Sequence, residues 1–227
     1  MEVFSRRIAF WVIFITLPII IILTSVEIVA FNIDFYDAKY DKYNVVENTG
    51  IEKDELMDIT EELLAYLKGE RQDLELYGEV HGDNRLIFDE RDQAHMVDVQ
   101  ELFVKGIILR NVAFIIFFIA TLYLVLKKYR QRVARAVFLS LITSTAIIIL
   151  LGIIISTDFS KYFDIFHYIF FDNDLWRLDP KKSILINLVP LGFFMDIVIK
   201  LSIYIFGSFG AGALLSGRYL RKNREQS

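Results

Sequence analysis

Four long apolar blocks constrain this chain more than any other feature: Ile8 to Phe31, Gly106 to Leu126, Ala136 to Ser156 and Ile184 to Ser216. A helix needs about 20 residues to cross a hydrocarbon core about 30 Å thick, and each block is long enough. With 55% of the residues hydrophobic and gathered in this way, the sequence predicts four transmembrane helices. The expected fold class is a membrane all-α protein, a four-transmembrane-helix bundle with a small extracytoplasmic α+β cap and an interfacial aromatic helix or loop. The divisions follow: 1–31 as amino terminus and first span, 32–105 as cap, 106–126 as second span, 127–135 as basic loop. After these come 136–156 as third span, 157–183 as a histidine and aromatic loop, 184–216 as fourth span with an interfacial start, and 217–227 as a basic tail.

Basic residues set the orientation. Arg6 and Arg7 precede the first span, Lys127, Lys128, Arg130, Arg132 and Arg135 join the second to the third, and Arg218, Arg221, Lys222 and Arg224 follow the fourth. By the positive-inside rule all three segments, and so both termini, are expected in the cytoplasm. The segment Asn32 to Gly106 carries 20 Asp and Glu against 8 Lys and Arg, a net −12, and is expected outside with the loop that follows span three. Such an acidic cap argues against a nucleic-acid partner. The expected setting is a membrane, with this acidic segment and the histidine and aromatic loop at its outer face.

The first apolar block follows two arginines, as a signal peptide would. It is longer than the usual h-region of about 7 to 15 residues, and no small-x-small site follows it before Asn32, so it reads as a retained anchor. The absence of cysteine excludes disulfides, thiolate nucleophiles and thiolate metal sites.

Within the cap, Thr49 to Glu52 reads as a capping box ahead of Leu56, Ile59, Leu63 and Leu67 at helical spacing, with Gly69 as a stop. Apolar and polar residues alternate over Leu74 to Val80 and Arg85 to Phe88 around the turn-prone Gly82, Asp83 and Asn84, as in a hairpin, with His81 exposed at the turn. From Asp92 the run DQAHMVDVQELF is helical in period and leads into span two, which puts His95 in the first helical turn. A helix amino terminus favours the neutral imidazole there, and Asp98, three residues on, shares its face and is placed to fix its tautomer.

Ionisable residues inside the apolar blocks are costly in lipid and normally face a bundle interior or a wet cavity. Glu27, Arg110, Asp196 and Lys200 all fall near the outer ends of their spans and are expected to line one pocket, although separate snorkelling of Glu27 and Arg110 to the headgroups is an alternative. The third outer segment brings Phe159, Tyr162, Phe163, Phe166, Tyr168, Phe170, Phe171 and Trp176 to the same level, as an interfacial belt does. His167 lies where those aromatics meet polar residues. Asp172, Asn173, Asp174 and Arg177 follow in a turn-like stretch suited to orienting a headgroup or peptide, and Asp179 and Pro180 suit a helix start.

Other signals carry less. Gly207, Gly210 and Gly212 lie within a membrane helix, where close helix packing accounts for them better than phosphate binding. No HExxH or similarly spaced pair is present, so no metal is expected, nor any other cofactor. No Gly-x-Ser-x-Gly elbow is present either.

Four segments together resemble the lipoprotein intramolecular transacylases of Gram-positive bacteria. They are YDAKYDKYNV, TGIEKDELMDITEELLAYLKG, LIFDERDQAHMVDVQELF and FHYIFFDNDLWRLDP, the last two being the more specific, and the likeness covers essentially the whole chain. The resemblance implies a pair of catalytic histidines, which fall on His95 and His167. It also implies an activity: one fatty acyl chain leaves the sn-2 oxygen of the diacylglyceryl group on a lipoprotein's first cysteine and joins the α-amino group of that cysteine. The product is the lyso form, and the partners would be a diacylated lipoprotein and membrane lipid, with the protein a monomer.

That reaction needs a base for the α-ammonium, which ordinarily titrates near about 8, and a donor for the tetrahedral oxyanion. His167 is the expected base, and His95 with Arg110 or Lys200 the oxyanion support; the two histidine roles are exchangeable. Asp172, Asp174 and Glu27 are candidates to grip the ammonium. Two other functions fit the composition: a non-enzymatic membrane sensor or partner-binding protein, and a phospholipid acyl hydrolase delivering water to the same centre.

Overall fold

The computed structural model describes residues 2–224. Its elements run α1 (Glu2–Ala30), α2 (Ile33–Lys42), α3 (Val45–Thr49), α4 (Lys53–Leu67), β1 (Tyr77–Val80), β2 (Asp83–Leu86), α5 (Glu90–Leu126), α6 (Arg130–Thr157), α7 (Phe159–Phe170), α8 (Ile184–Leu188) and α9 (Leu191–Arg224). The helices α1, α5, α6 and α9 are long and apolar enough to cross a membrane. The chain divides into two compact units, one of residues up to Glu27, Ile107–Thr157 and residues from Lys200 on, the other of Ile28–Gly106 and Asp158–Ile199.

The first unit is a helical bundle held by small side chains. Ala9 and Ile13 of α1 pack with Ala120 and Leu124 of α5 and Ala136 of α6. Leu141 of α6 packs with Ile205, Phe209 and Ala213 of α9. Without a hydrophobic force between helices in lipid, such small residues let the backbones approach. The Ser140 hydroxyl adds a hydrogen bond of 2.6 Å to the Phe14 carbonyl. Phe114, Ile115, Phe118, Leu150, Ile153 and Ile203 are exposed, as lipid-facing residues must be. Close packing explains only one of the three glycines grouped by sequence: a Cβ on Gly212 would lie 2.6 Å from Leu141 Cδ1, whereas one on Gly207 or Gly210 would meet nothing within 4 Å.

The second unit has a true apolar core, in which Tyr40, Val45, Ile51, Leu56, Leu63, Leu74, Phe88, Leu188 and Phe193 are buried together. The α4 stripe behaves as its periodicity predicts, with Leu56, Ile59, Leu63 and Leu67 all buried. The capping box does not form. Thr49 closes α3 instead, its hydroxyl donating to the Val45 carbonyl at 2.7 Å, and Gly50 at φ 69° ends that helix in the left-handed region. Glu52 becomes the N-cap of α4 without a side-chain cap bond, so Asp54 and Glu55 in the first turn supply the favourable charge.

The hairpin pairs Tyr77 with Leu86 and Val80 with Asp83 in antiparallel register. Its turn is His81 and Gly82, with His81 exposed at the turn as the sequence has it, while Asp83 and Asn84 lie in β2. Both turn residues have positive φ, 54° and 85°, the backbone that suits the twist of a two-residue hairpin.

The fourth span is shorter at its start than the apolar block. Ser183 caps the separate helix α8 by accepting from the Ile186 amide at 3.2 Å, and Val189 ends it before Pro190. A residue before proline is pushed out of the helical region, and Val189 at φ −128° and ψ 71° obeys, so α9 begins afresh at Leu191.

Candidate active site

Both histidines lie in the second unit, on α5 and α7. The Asp89 side chain accepts the Asp92 amide at 2.8 Å and starts α5 at Glu90, so His95 stands in the second helical turn rather than the first. Asp158 caps α7 by accepting from the Lys161 amide at 3.1 Å, and His167 falls in the last turn of that helix. The two rings are 6.1 Å apart between centroids, His167 6% and His95 8% exposed.

His167 has a defined tautomer. Its Nδ1 lies 2.7 Å from the Phe163 carbonyl oxygen, which can only accept, so Nδ1 carries the hydrogen and a neutral ring leaves Nε2 with a lone pair. Trp176 stacks on the ring at 4.7 Å and 26°, and Phe163 packs at 4.4 Å. Burial pushes the imidazole below its ordinary range, against the opposing pull of the Phe163 carbonyl and the Asp164 charge. The ring is therefore held as a neutral base. His95 meets the edge of Phe171 at 5.4 Å, and its Nδ1 is buried with no hydrogen-bond partner among the described residues.

The turn after α7 is built around Asn173. Its side-chain amide donates to Asp98 Oδ2 at 2.8 Å, its Oδ1 accepts from the Leu175 amide at 3.0 Å, and its carbonyl accepts from Trp176 Nε1 at 3.0 Å. Asn173 thereby ties Asp98 of α5 to the tryptophan that covers His167. Asp98 is engaged by Asn173, where the sequence paired it with His95. Asp174 receives Arg91 at its carbonyl and pairs with it through Oδ1 at 3.4 Å. Arg177 donates to the Tyr168 hydroxyl and lies over the Trp176 ring at 5.0 Å. Asp172 is exposed.

The four charged residues grouped by depth divide between the units. Glu27 and Arg110 form an ion pair in the first, and Arg110 also donates to Asn111 at 2.9 Å. Asp196 belongs to the second unit, where Lys39 at 2.9 Å, Lys42 at 2.6 Å and the Tyr43 hydroxyl at 3.0 Å converge on its Oδ2. Lys200, half-buried, belongs to the first.

Sequence reasoning passed over Asp92 and Ser183. Asp92 is fully buried, one turn before His95, and its Oδ1 accepts the Ser183 hydroxyl at 2.6 Å. Its place in the histidine's own helix, at i−3, is the signal that could have found it. Among the described residues no three His, Asp or Glu side chains gather as a metal site would require.

The fold and the site define an integral membrane protein of four spanning helices that holds two buried, adjacent imidazoles. The family profile described as lipoprotein intramolecular transacylase Lit matches residues 11–194. The chain belongs to that family. It is similar to the in meso structure of the membrane integral lipoprotein intramolecular transacylase Lit from Bacillus cereus, at 25% identity over 98% of each chain with a TM-score of 0.73. Two variants of that protein, with one histidine replaced by arginine or by alanine, match at 25% identity with TM-scores of 0.77 and 0.76. These cover 99% and 100% of this chain, and 96% and 98% of theirs. Among curated proteins none matches.

Proposed function

We propose that His167 is the general base of an intramolecular transfer, in which the sn-2 acyl chain of a diacylglyceryl-cysteine lipoprotein moves to the α-amino group of the same cysteine. The observation that carries this reading is the Nδ1–H bond to the Phe163 carbonyl, which leaves Nε2 to accept a proton. Nε2 takes the proton as the amine attacks the ester carbonyl. The tetrahedral intermediate collapses, the bond to the glycerol oxygen breaks, and that oxygen receives the proton; with the proton the α-ammonium gave up to become the attacking amine, the products are an amide, a free hydroxyl and one proton released to solvent.

His95, whose ring lies 6.1 Å from His167, is assigned to donate to the oxyanion, a reading its nearness to the base supports. Asp98, Asn173, Trp176 and Arg177 hold the base. Asp172 and Asp174 offer carboxylates to the substrate ammonium. Since amine and ester belong to one molecule, folding that molecule draws on the roughly 7 to 11 kcal/mol available from proximity. The protein acts as a monomer on a substrate anchored among membrane lipids, at the outer leaflet, with both termini in the cytoplasm; the acidic cap and the basic loop support that orientation.

The test is mass spectrometry of lipoprotein amino-terminal peptides from a host that makes only the diacylated form. Expression of the protein is expected to give N-acyl, S-monoacyl peptides at unchanged total mass, and the His167→Ala variant to give none. Release of free fatty acid, with a matching loss of mass, would replace transfer by hydrolysis.

A further inference from the structure

In the bundle unit, α6 and α9 border an open groove of about 480 Å³. Phe138 and Ile142 of α6 face Gly210 and Gly217 of α9 across it, and Arg218 and Arg221 line the end nearest the tail. Gly210 makes the opening, whereas a Cβ on Gly217 would already lie 3.2 Å from the Phe138 ring. A Cβ on Gly210 would meet nothing within 4 Å, although two residues on, Gly212 packs against Leu141 so tightly that its Cβ would lie 2.6 Å from a methyl group. The two helices are thus closely joined beside a place where they are not. Glycine weakens a helix, and Gly210 returns no packing for that cost.

We propose that this groove seats one acyl chain of an anionic phospholipid, whose phosphate is met by Arg218 and Arg221. Charge complementarity carries the assignment. The two arginines are three residues apart on one face of α9, at the polar end of an apolar slot, and both are exposed. Residues 217–227 contain four basic side chains against one acidic, Glu225. A guanidinium matches phosphate oxygens in a two-pronged geometry, and basic pockets between spanning helices are where anionic headgroups lodge. A zwitterionic lipid would fill the slot equally well with its chain but bring no net charge to the arginines. The site owes nothing to the transfer chemistry.

The test uses the full-length protein in detergent, titrated with phosphatidylglycerol or with phosphatidylcholine of the same chains and read by native mass spectrometry. Wild type is expected to bind phosphatidylglycerol roughly tenfold more tightly. The double variant Arg218→Ala, Arg221→Ala is expected to lose that preference, and Arg218→Lys, Arg221→Lys to keep most of it, which separates lost charge from lost folding. Gly210→Leu, which the open space beside Gly210 accommodates, is expected to weaken both lipids. Equal affinities in wild type, a preference that survives the double alanine variant, or unchanged lipid binding by Gly210→Leu would each overturn the proposal. A dimer that Gly210→Leu disrupts while lipid binding persists would also overturn it, assigning the groove to a second copy of the chain.

Discussion

The protonation of His167 is decided by its nearest neighbours. A phenylalanine carbonyl fixes the tautomer and a tryptophan face keeps water off the ring. Because burial lowers the pKa, the unfolded chain takes up this proton before the folded one does. His167 thus leaves stability undiminished above about 6.5 and lowers it as the pH falls through the depressed folded value. In the role proposed for it His167 acts when neutral, so the acid limb that it would contribute to acyl transfer should also lie below about 6.5. Trp176→Ala should readmit water and raise that limb toward the ordinary value, with a lower plateau rate. Comparing pH–rate profiles of wild type and variant on one substrate cancels the substrate amine's own titration, and an unmoved limb would show that the stack does not tune the base. The two histidines that the family resemblance singles out lie adjacent in the fold. Their partners were not legible in the sequence. Asp98 shares a helical face with His95 at i+3, yet Asn173, 75 residues away, holds it. Local spacing around Asp196 gave no hint of Lys39, Lys42 and Tyr43, which converge on it from the region of α2.

Among the elements, the strongly periodic ones were read correctly and the joints were not. Periodicity reports a buried stripe, which α4 has, but caps and turns depend on which of two competing local bonds wins. Thr49 bonds back to Val45 and so ends a helix where the sequence had it starting one. The turn of the hairpin falls on His81 because that residue has a tertiary role: its amide donates to the Gly50 carbonyl at 2.8 Å. Its ring covers the place where a Cβ on Gly50 would stand, 2.3 Å from Cε1. Gly50 is therefore required twice, for its φ of 69° and for the ring above it. Gly50→Ala should destabilise the protein by about 1 to 3 kcal/mol, the range for a side chain forced into a left-handed backbone. Adding His81→Ala should recover only the steric part, leaving the backbone part, and thermal unfolding of the single and double variants in detergent measures the split. Full recovery would mean that the backbone strain is negligible.

At the scale of the whole molecule, charge rather than packing distinguishes the two sides of the membrane. The four spans were legible because lipid demands long apolar runs, and only the fourth was misjudged at its start, where Pro190 divides one apolar block into two helices. The net −12 of residues 32–106 and the five basic residues of 127–135 lie on either side of one span in the chain, so they must face opposite compartments if α5 crosses once. The chain contains no cysteine, which makes that placement directly measurable. Glu70 and Lys127 are both exposed and belong to no part of the candidate site. In intact cells Glu70→Cys should react with a membrane-impermeant thiol reagent, and Lys127→Cys should react only after the membrane is opened. The reverse pattern would invert the molecule and put the imidazole pair at the cytoplasmic leaflet. Labelling of both in intact cells would contradict a single crossing by α5, and with it the four-span topology on which the orientation rests.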